Sequence, residues 1–169
     1  MSTTKYFFVR ELVRLRRKIT KLERGLETHA PDDPQTAGQR EILENEYRNR
    51  QLLMDLVAYA MDPTAFLMEC RMRYTRAERR HEEATGRSAF RGTHSQQDWW
   101  STLGQMQYLV HLIHGMEQVL HDGSEADLKR EMEAFARNND VSALLENSAI
   151  LHAMARAESS VADRAALAG

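Results

Sequence analysis

Three histidines fall within the eleven residues "HLIHGMEQVLH": His111, His114 and His121. Neutral imidazole is the commonest metal ligand, so a metal site is the first chemistry to weigh. Helical spacing argues against one. Gln107, His111, His114, Gln118 and His121 step four, three, four, three along a polar stripe. Trp99, Leu103, Met106, Val110, Ile113 and Leu120 form the apolar side, expected to face the core. A metal site in a bundle core needs inward-facing ligands. His114 and His121 also stand two turns apart, ~10.5 Å along the axis. The stripe reads instead as a partner-binding surface carried by Trp100, His111 and His114, since aromatic residues are enriched at interfaces. The alternative packs Trp100 under the loop 86–95.

Other catalytic patterns are incomplete. Glu78 and His81 have the Glu-x-x-His spacing of di-iron bundles, but that architecture uses two such pairs and two further glutamates. "HEEAT" (81–85) lacks the second histidine of a zinc-protease helix. There is no GxGxxG, P-loop or CxxC. Cys70 lies between Phe66 and Tyr74 at helical spacing and reads as a buried, inert thiol. A metal-dependent bundle enzyme using Glu78, His81, His111 or His114 therefore ranks third among the functions. No catalysis and no cofactor are expected.

The N-terminal stretch "FVRELVRLRRKITKLERGL" (8–26) carries two stripes at once. Phe8, Leu12, Leu15, Ile19, Leu22 and Leu26 form an apolar seam; Arg10, Arg14, Arg17, Lys21 and Arg24 form a basic one. At ~100° per residue the basic stripe lies opposite the seam and projects away from whatever the seam packs on. A solvated coiled-coil face has this pattern, and so does a footprint for nucleic-acid phosphate. A second arginine cluster supports the footprint: Arg73, Arg76 and Arg80, continued by Arg87 and Arg91.

Charge is divided along the chain. Residues 1–91 carry 18 Lys and Arg against 14 Asp and Glu, and residues 92–169 carry 5 against 11. Only 4 of the 23 cationic residues are lysine, and arginine forks onto phosphate or carboxylate in a way lysine does not. The opposite signs of the two halves also suit head-to-tail association.

These groups must be positioned by helices. Apolar residues recur at helical spacing, with no sustained strand alternation. The chain of 169 residues has 8 Gly and 3 Pro, enough length for one core without a staple. The expected fold is all-α with about six helices: an antiparallel hairpin of helices 1 and 2 extended into a bundle. A single domain spans 1–158, with an Ala-rich tail at 159–169. Helix 1 covers about 4–28 and helix 2 covers 39–61, with Pro31 and Pro34 excluded from helix. The seam of helix 2 is Leu43, Tyr47, Arg50, Met54, Val57 and Met61. Helix 3 starts at Pro63 behind an Asp62 cap and stops at Gly86. Helix 4 follows a Ser95 cap to His121; helices 5 and 6 cover 125–137 and 141–157.

No apolar run approaches the ~20 residues that span a bilayer, and no secretory signal precedes the first charges. A cytoplasmic protein without a membrane partner is expected. The leading function is a non-catalytic, nucleic-acid-associated subunit or regulator. The alternative is a protein-only adaptor or inhibitor acting through helix–helix contacts. Because Tyr6, Val9 and Val13 widen the apolar face of helix 1 beyond one neighbour, a homodimer or a place in a larger assembly is expected.

Overall fold

The computed structural model describes residues 3–28, 33–60, 62–88 and 93–121, and beyond them only Ala126, Asp127, Arg130 and Ala134. The described chain is all-α. Its elements are α1 (Thr3–Thr28), α2 (Pro34–Asp55), a 3-10 turn (Val57–Tyr59), α3 (Pro63–Ser88) and α4 (Thr93–His121). Of the helix expected over 125–137, only Ala126, Asp127, Arg130 and Ala134 are described, and all four are helical. The helix expected over 141–157 and the tail lie outside the described residues.

Capping chemistry sets the helix starts. The Asp62 carboxylate accepts from the backbone N–H groups of Thr64 (2.9 Å) and Ala65 (3.1 Å), opening α3 as expected. Helix α2 begins five residues before Gln39. Asp33 caps it by accepting from Gln35 N at 2.9 Å, and Pro34 takes the first helical position. A proline is tolerated there because the first turn leaves its missing N–H without a partner anyway. At its far end α2 stops at Asp55 and tightens into the 3-10 turn, short of Met61. Gly86 does not stop α3, which runs on to Ser88. One glycine inside a helix costs only about 1 kcal/mol. Helix α4 begins at Thr93, ahead of the expected Ser95 cap.

The helices pack as two antiparallel hairpins. In the first, Lys18 of α1 pairs with Glu46 of α2, and the Tyr47 hydroxyl donates to Glu23. In the second, Arg71 reaches Glu117 (2.5 Å), Arg80 reaches Gln105 (3.0 Å), and His81 meets Thr102 (2.9 Å). Helix α4 joins the hairpins, lying antiparallel to α1 and touching α2. Phe7 of α1 sits at Gly115 of α4, and Glu11 sits at His111. Helices α1 and α3 stand across the core from each other, where Phe7 and Phe66 meet edge-on at 6.1 Å.

The core is built from Phe7, Phe8, Leu12, Leu15, Leu53, Leu56, Phe66, Leu109, Leu112 and Met116. It corrects three expectations. The inward face of α2 is Glu46, Asn49, Leu53 and Leu56, while Tyr47 and Arg50 are exposed. Glu46 is tolerated inside because Lys18 supplies its counter-charge. The inward face of α4 is Tyr108, Leu109, Leu112, Met116 and Val119, while Val110 and Leu120 are exposed. Val9 and Val13 are 1% and 2% exposed, so the chain covers that face of α1 itself, and the argument for a dimer through it falls.

Close helix approach explains which face of α4 turns inward. A Cβ on Gly115 would lie 2.8 Å from the Phe7 ring, and Gly104 faces Asn45 of α2 with equally little room. The Phe7 ring is fully buried and has nowhere to go. Gly115→Ala is therefore expected to destabilise the fold by about 1 kcal/mol or more, the overpacking outweighing the gain in helix propensity. The same change at Gly86, in open space, is expected to stabilise by about 0.4–1 kcal/mol. Urea midpoints of the two variants check this. Two shifts of the same sign would refute the close approach at Gly115.

Candidate functional site

The basic stripe of α1 is split by the packing of α4 on its N-terminal half. Arg10 lies over the Phe7 ring, its guanidinium carbon 5.1 Å from the centroid. Arg14 turns inward as well. Its Nε donates to Glu11 at 2.9 Å, and its guanidinium carbon stands 6.0 Å from the Tyr108 ring centroid. These two do not project away from the seam's partners, contrary to the wheel. Arg17, Lys21 and Arg24 are exposed on the C-terminal half, as is Arg16.

The second arginine cluster does not extend the first. Arg73 donates to Glu69 at 2.7 Å and stands 3.8 Å from Asp55; Arg80 donates to Gln105. Arg76 is exposed. Since α1 and α3 lie across the core from each other, the two clusters face different directions. The Arg87 side chain and all of Arg91 lie outside the described residues.

Beneath the stripe lies a charge cluster that helical spacing alone does not reveal. Glu11, which stands among the arginines in sequence, is only 2% exposed. Its carboxylate takes the Arg14 bond and meets His111 Nε2 at 3.0 Å. Burial alone pushes this carboxyl up, but the His111 hydrogen bond and the Arg14 charge outweigh it, and Glu11 titrates below the usual carboxylate range. Tyr108 stacks on His111 at 6.0 Å between centroids. Burial, reinforced by the Glu11 charge, raises its phenol far above normal, so it stays protonated. The Lys18–Glu46 pair, with Asn49, continues the cluster onto α2. One sequence signal points to it: at ~100° per residue Glu11 falls at the edge of the apolar seam, not within the basic stripe.

The partner-binding residues divide. His111 is half-exposed and tied to Glu11, whereas His114 is exposed. Trp100 is 51% exposed and meets Trp99 edge-on at 4.7 Å, so it is not packed away. His81 lies against Trp99 and bonds Thr102, far from His111 in the fold. Among the described residues no three His, Cys, Asp or Glu side chains converge in a way that could hold a metal ion. Burial pushes the Cys70 thiol up to about 12, which keeps it unreactive at neutral pH.

Two surface features remain. Of the stripe Leu103, Met106, Val110, Ile113 and Leu120, expected inside, Ile113 packs against the core, Leu103 and Met106 are half-buried, and Val110 and Leu120 are exposed on the outer side of α4. Val110 is 38% exposed there, and Met68 on the neighbouring side of α3 is 59% exposed. A polar cleft of about 260 Å³ opens between α2, α3 and α4, lined by Asn45, Asn49, Arg73, Ser101 and Gln105. Its two arginines are already held, Arg73 by Glu69 and Asp55 and Arg48 by Glu44, leaving no excess charge for an anion. No described helix is long and apolar enough to cross a membrane. Set beside protein-family models, curated proteins and solved structures, the chain matches none.

Proposed function

We propose that the chain is a non-catalytic helical binding protein that meets protein partners helix on helix, as an adaptor or inhibitor. The observation that carries this reading is the outer flank of α4, where Val110 and Leu120 are exposed and Leu103 and Met106 half-buried. Exposed single apolar residues are ordinary; a stripe at helical spacing on one face is a contact surface. Trp100 adds a second exposed anchor on the same helix. The nucleic-acid reading loses ground because Arg14 and Arg73 are engaged by carboxylates and Arg80 by Gln105. A location in the cytoplasm and a place in a larger assembly belong to this proposal.

Fluorescence anisotropy with labelled single- and double-stranded oligonucleotides tests it, using wild type and Lys21→Glu/Arg24→Glu. Both residues are exposed, so the variant keeps the fold. The expected result is no binding at low salt by either protein. Binding that weakens with salt, at about −0.9 in log–log slope per phosphate contact on duplex DNA, and that the variant loses, would overturn the proposal in favour of a nucleic-acid-associated protein.

A further inference from the structure

The polar cleft between α2, α3 and α4 holds amide and hydroxyl groups that the chain itself does not use. Asn45, Asn49 and Leu52 step four and three along one face of α2, and Ser101 and Gln105 step four along the side of α4 that meets it. Gly104 leaves room for the Asn45 side chain against α4, where a Cβ would clash with its Oδ1. Among the described residues, neither the Asn45 amide nor the Ser101 hydroxyl has a hydrogen-bond partner. The Asn49 nitrogen donates to Glu46, which leaves the oxygen of this buried side chain as an acceptor. The Gln105 oxygen accepts from Arg80, which leaves its nitrogen as a donor. Polar groups withdrawn from water gain most from a ligand that returns a hydrogen bond to each.

The lining has no unpaired cation, because Arg48 and Arg73 both face carboxylates. Donors and acceptors side by side, without net charge, match a peptide backbone, which offers one N–H and one C=O per residue. A nucleobase would need an aromatic face or a free guanidinium plane to stack on. No aromatic side chain lines the cleft, and both its arginines are engaged. Length agrees with a peptide. Asn45 to Leu52 is seven residues of helix, ~10.5 Å, the span of about three residues of extended chain at ~3.3 Å each. The cavity, about 260 Å³, runs at Ser101 and Gln105 into a second of about 340 Å³ between α3 and α4, where a longer segment can continue.

We infer that this cleft binds an extended, uncharged segment of a partner polypeptide with small side chains, held by its backbone amides. Asn45, Asn49, Ser101 and Gln105 supply the hydrogen bonds. The contact is of a different kind from the helix-on-helix contact proposed for α4, and its failure leaves that reading untouched.

Nuclear magnetic resonance of the full chain tests it, following the side-chain amide signals while acetyl-Gly-Ser-Asn-Ser-Gly-amide is added to millimolar concentration. Saturable shifts are expected at Asn45, Asn49 and Gln105, with none of comparable size from adenosine or sucrose. Asn45→Ala and Ser101→Ala remove groups that the chain does not use, and alanine is the better helix former. Both variants are therefore expected to be at least as stable in urea as wild type. Each is expected to raise the peptide dissociation constant about tenfold, the loss of one hydrogen bond to a half-buried group. A purely structural role would do the reverse, lowering the urea midpoint and leaving the peptide affinity unchanged. That result overturns the inference. So does the absence of saturable shifts, or tighter binding of adenosine or sucrose than of the peptide.

Discussion

Phe7→Ala is expected to remove about 3–5 kcal/mol of stability. Small domains hold only about 5–15 kcal/mol in total, so the variant sits near the edge of folding. The expectation follows from position. Phe7 is fully buried, meets the Phe66 ring edge-on from across the core, and fills the notch left by Gly115. Its removal opens a cavity where α1, α3 and α4 converge. The neighbouring glycine has no side chain with which to refill it. Urea denaturation measures the loss. A change below about 1 kcal/mol would mean that α1 does not dock as described, since a collapsed site of this kind costs less than a preserved cavity.

The second large effect concerns Arg14. On a helical wheel it is one of five equivalent surface cations, and Arg14→Glu would be a harmless surface change worth within about ±0.5 kcal/mol. In the fold it is a counter-ion of a buried carboxylate, so Arg14→Glu brings a second carboxylate against Glu11. The expected loss is about 3–5 kcal/mol at neutral pH, the cost of an uncompensated buried charge. Arg24→Glu, on the exposed half of the same stripe, is expected to stay within about ±0.5 kcal/mol. Adding Glu11→Gln to Arg14→Glu should recover most of the loss. Equal midpoints for Arg14→Glu and Arg24→Glu would refute the buried pairing.

The same pairing fixes an acid dependence. The Glu11 carboxyl titrates lower in the folded chain than its ordinary value of 4.5. Its stabilising contribution is then complete above that ordinary value, and is lost as pH falls through the lower, folded value. Wild type should lose more stability across this acid window than the Glu11→Gln variant does.

Much of the fold was legible in local chemistry. Asp62 and Pro63 announce the start of α3 because cap and first-turn rules act within four residues. The α1–α2 hairpin follows from two long helices joined by a short loop, although the seam read on α2 was misplaced, with Tyr47 and Arg50 exposed. Other parts depended on partners far along the chain. The apolar arc of helix α4 is broad, so its periodicity does not fix which part of that arc faces the core. The choice is made by Gly104 and Gly115, where α2 and α1 come close, and it turns Leu109 and Leu112 inward and Val110 outward. Glu11 was misplaced for a related reason. A carboxylate among arginines reads as local neutralisation, and its burial requires His111, a hundred residues away. On the candidate surface, exposed residues such as Lys21 and Arg24 could be placed from the wheel, whereas Arg10, Arg14, Arg73 and Arg80 could not.

The separation between Phe7 and its seat on α4 has a consequence for synthesis. Among the described residues Phe7 to Leu15 is a densely buried segment, and it leaves the ribosome well before α4, yet part of its cover is that helix, about a hundred residues downstream. At about 5–20 residues per second, that cover arrives roughly 5–20 s later. Throughout this interval the nascent chain holds two adjacent phenylalanines and a run of aliphatic side chains without their final neighbours. Arg10 and Arg14, spaced among them, place positive charge on this apolar segment, a pattern that disfavours its self-association until α4 is made.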